Sequence, residues 1–171
     1  MRIALCAVAC VAFTSCALLG PPPPGPLAAG QGFHVSMPSA DGELMRWDPG
    51  LPFNPTDTDI RLRAIELVDV KGLDVVGIVL NTPTLRPDGT CLSGGNGGGF
   101  PPPGSSSDRI DGALLVAASR RTCTNYPQIS VGLRRPIGTP TGSVAAVRLR
   151  YEHAGRSYEL LMPTSVEIHR P

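Results

Sequence analysis

Residues 147–162 read VRLRYEHAGRSYELLM, and that stretch decides the fold. Apolar and charged side chains alternate on both sides of Ala154-Gly155, a period of two that means strand and not helix. With Ala154-Gly155 at the turn centre, Tyr151 faces Tyr158, Leu149 faces Leu160 and Val147 faces Met162, while Arg150 faces Glu159. A loop one residue longer would set Tyr151 against Glu159 and Val147 against Pro163. Cross-strand pair chemistry therefore selects the first register.

The same alternation extends outward. Residues 165–169 form a last strand after Pro163. Residues 128–133 place Ile129, Val131 and Leu133 on one face, and residues 31–37 do the same with Phe33, Val35 and Met37, opposite His34 and Ser36. Residues 38–42 make a turn, from which residues 43–47 return as a short strand. The strongest apolar block spans residues 60–80 and is broken at Lys71-Gly72. Within it Ile60, Leu62 and Ala64 alternate with Arg61 and Arg63, but Ile65, Leu67 and Val68 fall out of phase, which predicts a bulge near Ala64. A direct hairpin at Lys71-Gly72 would oppose Asp69 and Asp74, an unfavourable pair that leaves open whether the two strands share a sheet. Residues 113–117 read as an edge strand and residues 138–142 as a turn-rich break. Seven or eight short strands without a long helix predict an all-β fold. A small antiparallel β-sandwich of immunoglobulin-like architecture is the expectation, with a β-barrel as the alternative. The likeness is one of architecture, because Trp47 is not framed by the cysteine pair of antibody domains.

The chain has 171 residues and a net charge of +1, which excludes an electrostatic reason to bind nucleic acid. Its 20 glycines and 19 prolines concentrate near the N-terminus and in residues 83–104. The run Gly94-Gly95-Asn96-Gly97-Gly98-Gly99 is followed by prolines and lacks a lysine, so it reads as a surface loop and not a phosphate cradle.

At the N-terminus, Arg2 precedes an apolar run over residues 3–13, which Thr14 and Ser15 close before Cys16. Pro21 to Pro24 follow. Charge, apolar segment, small-residue site and linker together read as an export signal. Phe13-Thr14-Ser15-Cys16 resembles the lipobox of bacterial lipoproteins, with Phe13 in place of the usual aliphatic residue. The resemblance implies that Cys16 is lipidated and becomes the mature N-terminus, anchoring the protein at the membrane surface. Cleavage after Ala17 or near Ala29, giving a secreted protein, is the alternative. A retained anchor is the third reading, but the segment is shorter than the ~20 residues a spanning helix needs. The expected organisation is a signal peptide over residues 1–15, a lipidated cysteine and tether over 16–31, and one domain over 32–171. Such a tether would lift the domain by up to about 45 Å. Cys6 and Cys10 leave with the signal. Cys91 and Cys123 remain as an even pair in an oxidising compartment, which predicts a disulfide contributing about 3–4 kcal/mol.

Chemistry is sparse. Three histidines, His34, His153 and His169, form no metalloprotease motif, and no serine stands in a nucleophile elbow. The reading is therefore non-catalytic and without a cofactor. His34, Met37 and Met45 offer imidazole and thioether suited to Cu(I), the alternative function, although His34 and Met37 should face opposite sides of a strand. Asp57 and Asp59, with Asp48 and Asn54, supply oxygen ligands without a calcium-loop spacing. The pairs Arg61/Arg63 and Arg148/Arg150 read as a solvated outer sheet face. Function is thus expected from a module that binds a protein or an envelope component through its loops, residues 47–59 and 94–104. Trp47, Asp57 and Asp59 are the first candidate contacts.

Overall fold

The computed structural model describes residues 25–50, 52–92, 96, 97, 99–103, 105 and 110–171. Cys16 and the rest of the segment read above as an export signal lie outside them. The strands, in chain order, are β1 (His34–Pro38), β2 (Leu44–Trp47), β3 (Ile60–Val68), β4 (Asp74–Asn81), β5 (Thr84–Leu85), β6 (Cys91–Leu92), β7 (Leu114–Leu115), β8 (Gln128–Arg134), β9 (Thr141–Val144), β10 (Ala146–His153), β11 (Arg156–Met162) and β12 (Ser165–His169). Among the described residues the only helical pieces are two three-residue 3-10 turns, Ala118–Arg120 and Cys123–Asn125.

The strands order as β11-β10-β3-β7, β2-β8-β4 and β1-β12-β9, with β5-β6 as a small separate hairpin. The three larger sheets pack as a sandwich around one core, and none closes on itself, so the barrel alternative falls. The β10–β11 register is the one read from the pair chemistry, with Tyr151 opposite Tyr158 and Arg150 opposite Glu159. Its turn residues Ala154 and Gly155 have φ of +48° and +72°, the left-handed pair that a two-residue hairpin loop requires. Ala154 adopts that conformation despite its Cβ.

On the other side of β10, Arg150 pairs with Ala64 but Tyr151 pairs with Leu62, so Arg63 is the extra residue of a bulge. The bulge returns Ile60, Leu62 and Ile65 to the interior although their spacing changes. β3 and β4 lie in different sheets, which keeps Asp69 and Asp74 from facing each other.

Several expectations are corrected. β2 does not return against β1. The turn carries the chain across the sandwich, where β2 pairs with β8. β1 pairs in parallel with β12, from His34 opposite Ser165 to Pro38 opposite His169, so the sandwich is antiparallel except at this edge. The break expected over residues 138–142 contains the start of β9. The domain boundary also moves back from residue 32. Leu27 is 4% exposed within the core, and Ala28 exchanges backbone hydrogen bonds of 3.0 and 2.9 Å with Phe53. Residues 25–29 belong to the folded body because burying Leu27 removes an apolar side chain from water.

Polar ties close the turn end. Arg135 is fully buried; its guanidinium donates to Ser39 O at 2.7 Å and to Thr139 O, and meets Asp41 at 2.5 Å. The hydrogen bond from Arg135 holds the Asp41 carboxyl below the usual carboxylate range.

Candidate functional site

The loop from Trp47 to Asp59 is built from the inside. Trp47 is 0% exposed, so the proposed contact residue is instead a core residue, anchored at the end of β2. Asn54, 1% exposed, organises the turn. Its amide donates to Thr58 O at 3.0 Å and Leu115 O at 2.8 Å, and its Oδ1 accepts from Thr56. Asp59 accepts from the Ala117 amide at 2.9 Å and pairs with Arg120 at 2.6 Å. Both contacts are to Asp59 Oδ1 and tie the loop to the turn at Ala117–Arg120. Asp57 is exposed, and no group of three or more His, Cys, Asp or Glu among the described residues is placed to hold a metal ion.

This fixed loop forms one wall of a cleft of about 420 Å³ lined by Pro52, Phe53, Pro83, Arg121, Thr122, Cys123, Tyr126 and Gln128. Tyr126 joins the walls: its hydroxyl donates to Pro52 O, and its ring lies under the Arg121 guanidinium, 5.0 Å from the centroid. Burial pushes the Tyr126 hydroxyl up from its ordinary range, against the opposing pull of Arg121, so it stays a neutral donor. Pro52 and Phe53 lie in a loop that the sequence nominated. Arg121 and Tyr126 were missed, since nothing local in residues 118–126 signals that they meet a loop some seventy positions earlier.

A second polar cluster sits on the outer face of β2-β8-β4. Asn81 Nδ2 donates to Ser130 Oγ at 2.7 Å, and Ser130 Oγ donates to Asp48 Oδ1 at 2.5 Å. Arg46 Nε stands 3.7 Å from Asp48 Oδ2. Burial pushes the Asp48 carboxyl up, opposed by the Ser130 hydroxyl and the Arg46 charge. The cluster is covered: Asp48 N donates to Asn96 Oδ1 at 3.0 Å, Gly97 N donates to Arg46 O at 2.8 Å, and Ser130 is 0% exposed. A hydroxyl on a carboxylate is a nucleophile's arrangement, but a fully buried Ser130 presents nothing to a substrate. The cluster holds the cover in place.

The cover itself overturns part of the surface-loop reading. A Cβ on Gly132 would lie 2.5 Å from the Phe100 ring and one on Gly77 3.3 Å from it, so Phe100 packs flat on this glycine pair. Residues 94, 95, 98 and 104 lie outside the described part, but Asn96, Gly97 and Phe100 are docked on the sheet.

The copper trio is not assembled. His34 is exposed on β1, with Nδ1 3.0 Å from Ser165 Oγ, whereas Met37 and Met45 point into the core at 6% and 9% exposure. Alternation along β1 places imidazole and thioether on opposite sides of the sheet. The arginine pairs stand on an outer face matched by carboxylates: Arg63 meets Asp111 and Glu152, and Arg148 and Arg150 both meet Glu66 and Glu159. That ladder neutralises the face. No helix among the described residues is long and apolar enough to cross a membrane. No family model, curated protein or solved structure matches the chain.

Proposed function

We propose that the protein is an exported, non-catalytic β-sandwich module, held at the membrane surface by lipid on Cys16, that binds a protein or an envelope component through the loop-built end of its sandwich. The observation that carries this reading is the cleft between the 47–59 loop and Tyr126, whose walls are fixed by hydrogen bonds and open to solvent beside the exposed Phe53. A fixed scaffold presenting loops is the usual setting for recognition. Ser130 is buried, and His34, Met37 and Met45 are not brought together, so neither of these two constellations is assembled.

The Cys91–Cys123 bridge belongs to this proposal. What supports it is that Cys123 does not stand as a free thiol and that β5, the partner of β6, packs against the turn carrying Cys123. The Cys91 side chain is outside the described part. With Leu27 already in the core, residues 17–24 span at most about 25 Å, so the module stays close to the lipid surface.

A photo-crosslinker replacing Phe53 in the full chain, expressed in cells, tests the reading. One reproducible adduct is expected from position 53, and none from a control crosslinker at Arg150 in the ion-pair ladder. In the same cells Cys16→Ser moves the protein out of the membrane fraction. Adducts from position 150 alone would move the contact surface to the sheet face, and unchanged membrane fractionation of the Cys16 variant would end the lipid anchor.

A further inference from the structure

We propose that the cleft beside Tyr126 takes a singly charged carboxylate carried on a flat or branched apolar body, with Arg121 as its anion partner. The proposal rests on the binding-module reading and names the ligand chemistry of that same cleft.

The lining is lopsided in charge. Among the described residues the lining is Pro52, Phe53, Pro83, Cys123 and Tyr126, with Thr122 and Gln128 as neutral polar groups and Arg121 as the one charged side chain. No carboxylate lies within ion-pair distance of Arg121 among the described residues. The adjacent Arg120, by contrast, is held by Asp59 at 2.6 Å. Two neighbouring arginines thus have opposite fates, one bound into the fold and one turned into a cleft.

The geometry suits an anion that brings an apolar body. The Arg121 guanidinium carbon lies 5.0 Å from the Tyr126 ring centroid, within cation–π range, which holds the side chain beside the cleft. A guanidinium carries five N–H donors, more than one phenol oxygen can engage, and its fork matches a carboxylate. Proline and aromatic walls supply the apolar surface that small-ligand sites use, and about 420 Å³ lies within the usual size range of such sites. The walls are set before any ligand arrives, by the Tyr126–Pro52 hydrogen bond and by the Asn54 amide on Leu115 O at 2.8 Å. Less ordering then remains to oppose binding. One cation, without a second lysine or arginine among the described lining residues, matches one negative charge. A phosphate dianion would leave charge uncompensated.

The test titrates N-acetylphenylalanine into the full-length protein and follows backbone amide shifts by NMR, with the neutral N-acetylphenylalanine amide and phenyl phosphate as comparison probes. Saturable shifts at Thr122, Tyr126 and Gln128 are expected from the acid, and at least about tenfold weaker binding from the amide, the scale of one charge-assisted hydrogen bond. Arg121→Gln brings the acid down to the level of the amide and leaves the amide unchanged, while Arg121→Lys retains part of the preference. Arg121 is exposed, so these variants keep the fold. Equal binding of acid and amide, binding that survives Arg121→Gln, tighter binding of phenyl phosphate, or no cleft shifts at about 20 mM acid would each overturn the site. The two proposals fail separately. A crosslinked partner at Phe53 without acid binding removes only the carboxylate site, and acid binding without any partner removes only the macromolecular contact.

Discussion

The β10–β11 hairpin and the cover over β8 are both parts of one sandwich, yet only one of them declares itself. In the hairpin the inner residues Val147, Leu149 and Tyr151 are buried, while Arg150 and Glu159 stay at the water side. Alternation survives because one face is wet. On β8 both faces are covered: Ile129, Val131 and Leu133 point into the core, and Ser130 and Gly132, nominally the outer side, are buried as well. Alternation there reports an outside that does not exist. A polar or small residue on a strand marks either water or a close neighbour, and the sequence has the same appearance in both cases.

The hairpin should hold the larger share of stability. Leu149 is 0% exposed and faces Leu160 on β11 and Ile65 on β3. Leu149→Ala is expected to cost about 2–5 kcal/mol by lost transfer energy and residual cavity. At about 2–4 °C per kcal/mol for a chain of this size, thermal denaturation should shift by roughly 10 °C. A shift under about 1 kcal/mol would mean the hairpin is peripheral and the comparison is inverted.

Phe100→Ala tests the cover. The ring is half-buried on Gly77 and Gly132, so the expected loss is about 1–2 kcal/mol, below that of a fully buried aromatic. Limited proteolysis within residues 96–103 should accelerate, because the Gly97–Arg46 and Asn96–Asp48 hydrogen bonds would then hold the segment without an apolar anchor. Unchanged cleavage and stability would show that the ring contributes nothing and that β8 is open on its outer face.

What the sequence made legible follows that division. The hairpin register, a bulge near Ala64 (found one residue earlier, at Arg63), the edge placement of β7 and the inward face of β8 all come from side-chain period and pair chemistry, which act between near neighbours. The parallel pairing of β1 with β12 joins the two ends of the domain, and no local pattern encodes it. Trp47 was legible as apolar and beside a turn; burial depended on which sheet the turn led to. The cleft was half legible. Residues 47–59 read as a loop with a contact role, but Arg121 and Tyr126 enter only through a tertiary contact with Pro52. The pairs Arg61/Arg63 and Arg148/Arg150 read as a solvated face, but the carboxylates that meet Arg63, Arg148 and Arg150 come from β3, β10, β11 and Asp111.

The smallest expected effect concerns the acid beneath the cover. Asp48 has its carboxyl pushed up by burial, against Ser130 and Arg46. A native carboxyl that titrates above its unfolded range binds more protons than the unfolded chain within that interval. Stability from this group therefore falls as pH rises through the interval and is recovered on acidification. Asp41 and Glu152 act in the opposite sense, since their arginine partners hold both carboxyls down, and their contribution is lost at low pH. The Asp48 effect is thus visible only as a difference between proteins. Asp48→Asn keeps an acceptor for the Ser130 hydroxyl and removes the desolvated charge. At pH 7 the variant should match or exceed the wild type, by less than about 1 kcal/mol because Arg46 loses one ion-pair partner. As pH is lowered the wild type should gain on the variant while its carboxyl takes up a proton. Denaturant midpoints at several pH values read that difference directly. If the wild type instead loses ground to Asp48→Asn on acidification, Asp48 is a solvated ion-pair partner of Arg46, and the outer face of β8 is as wet as the hairpin's.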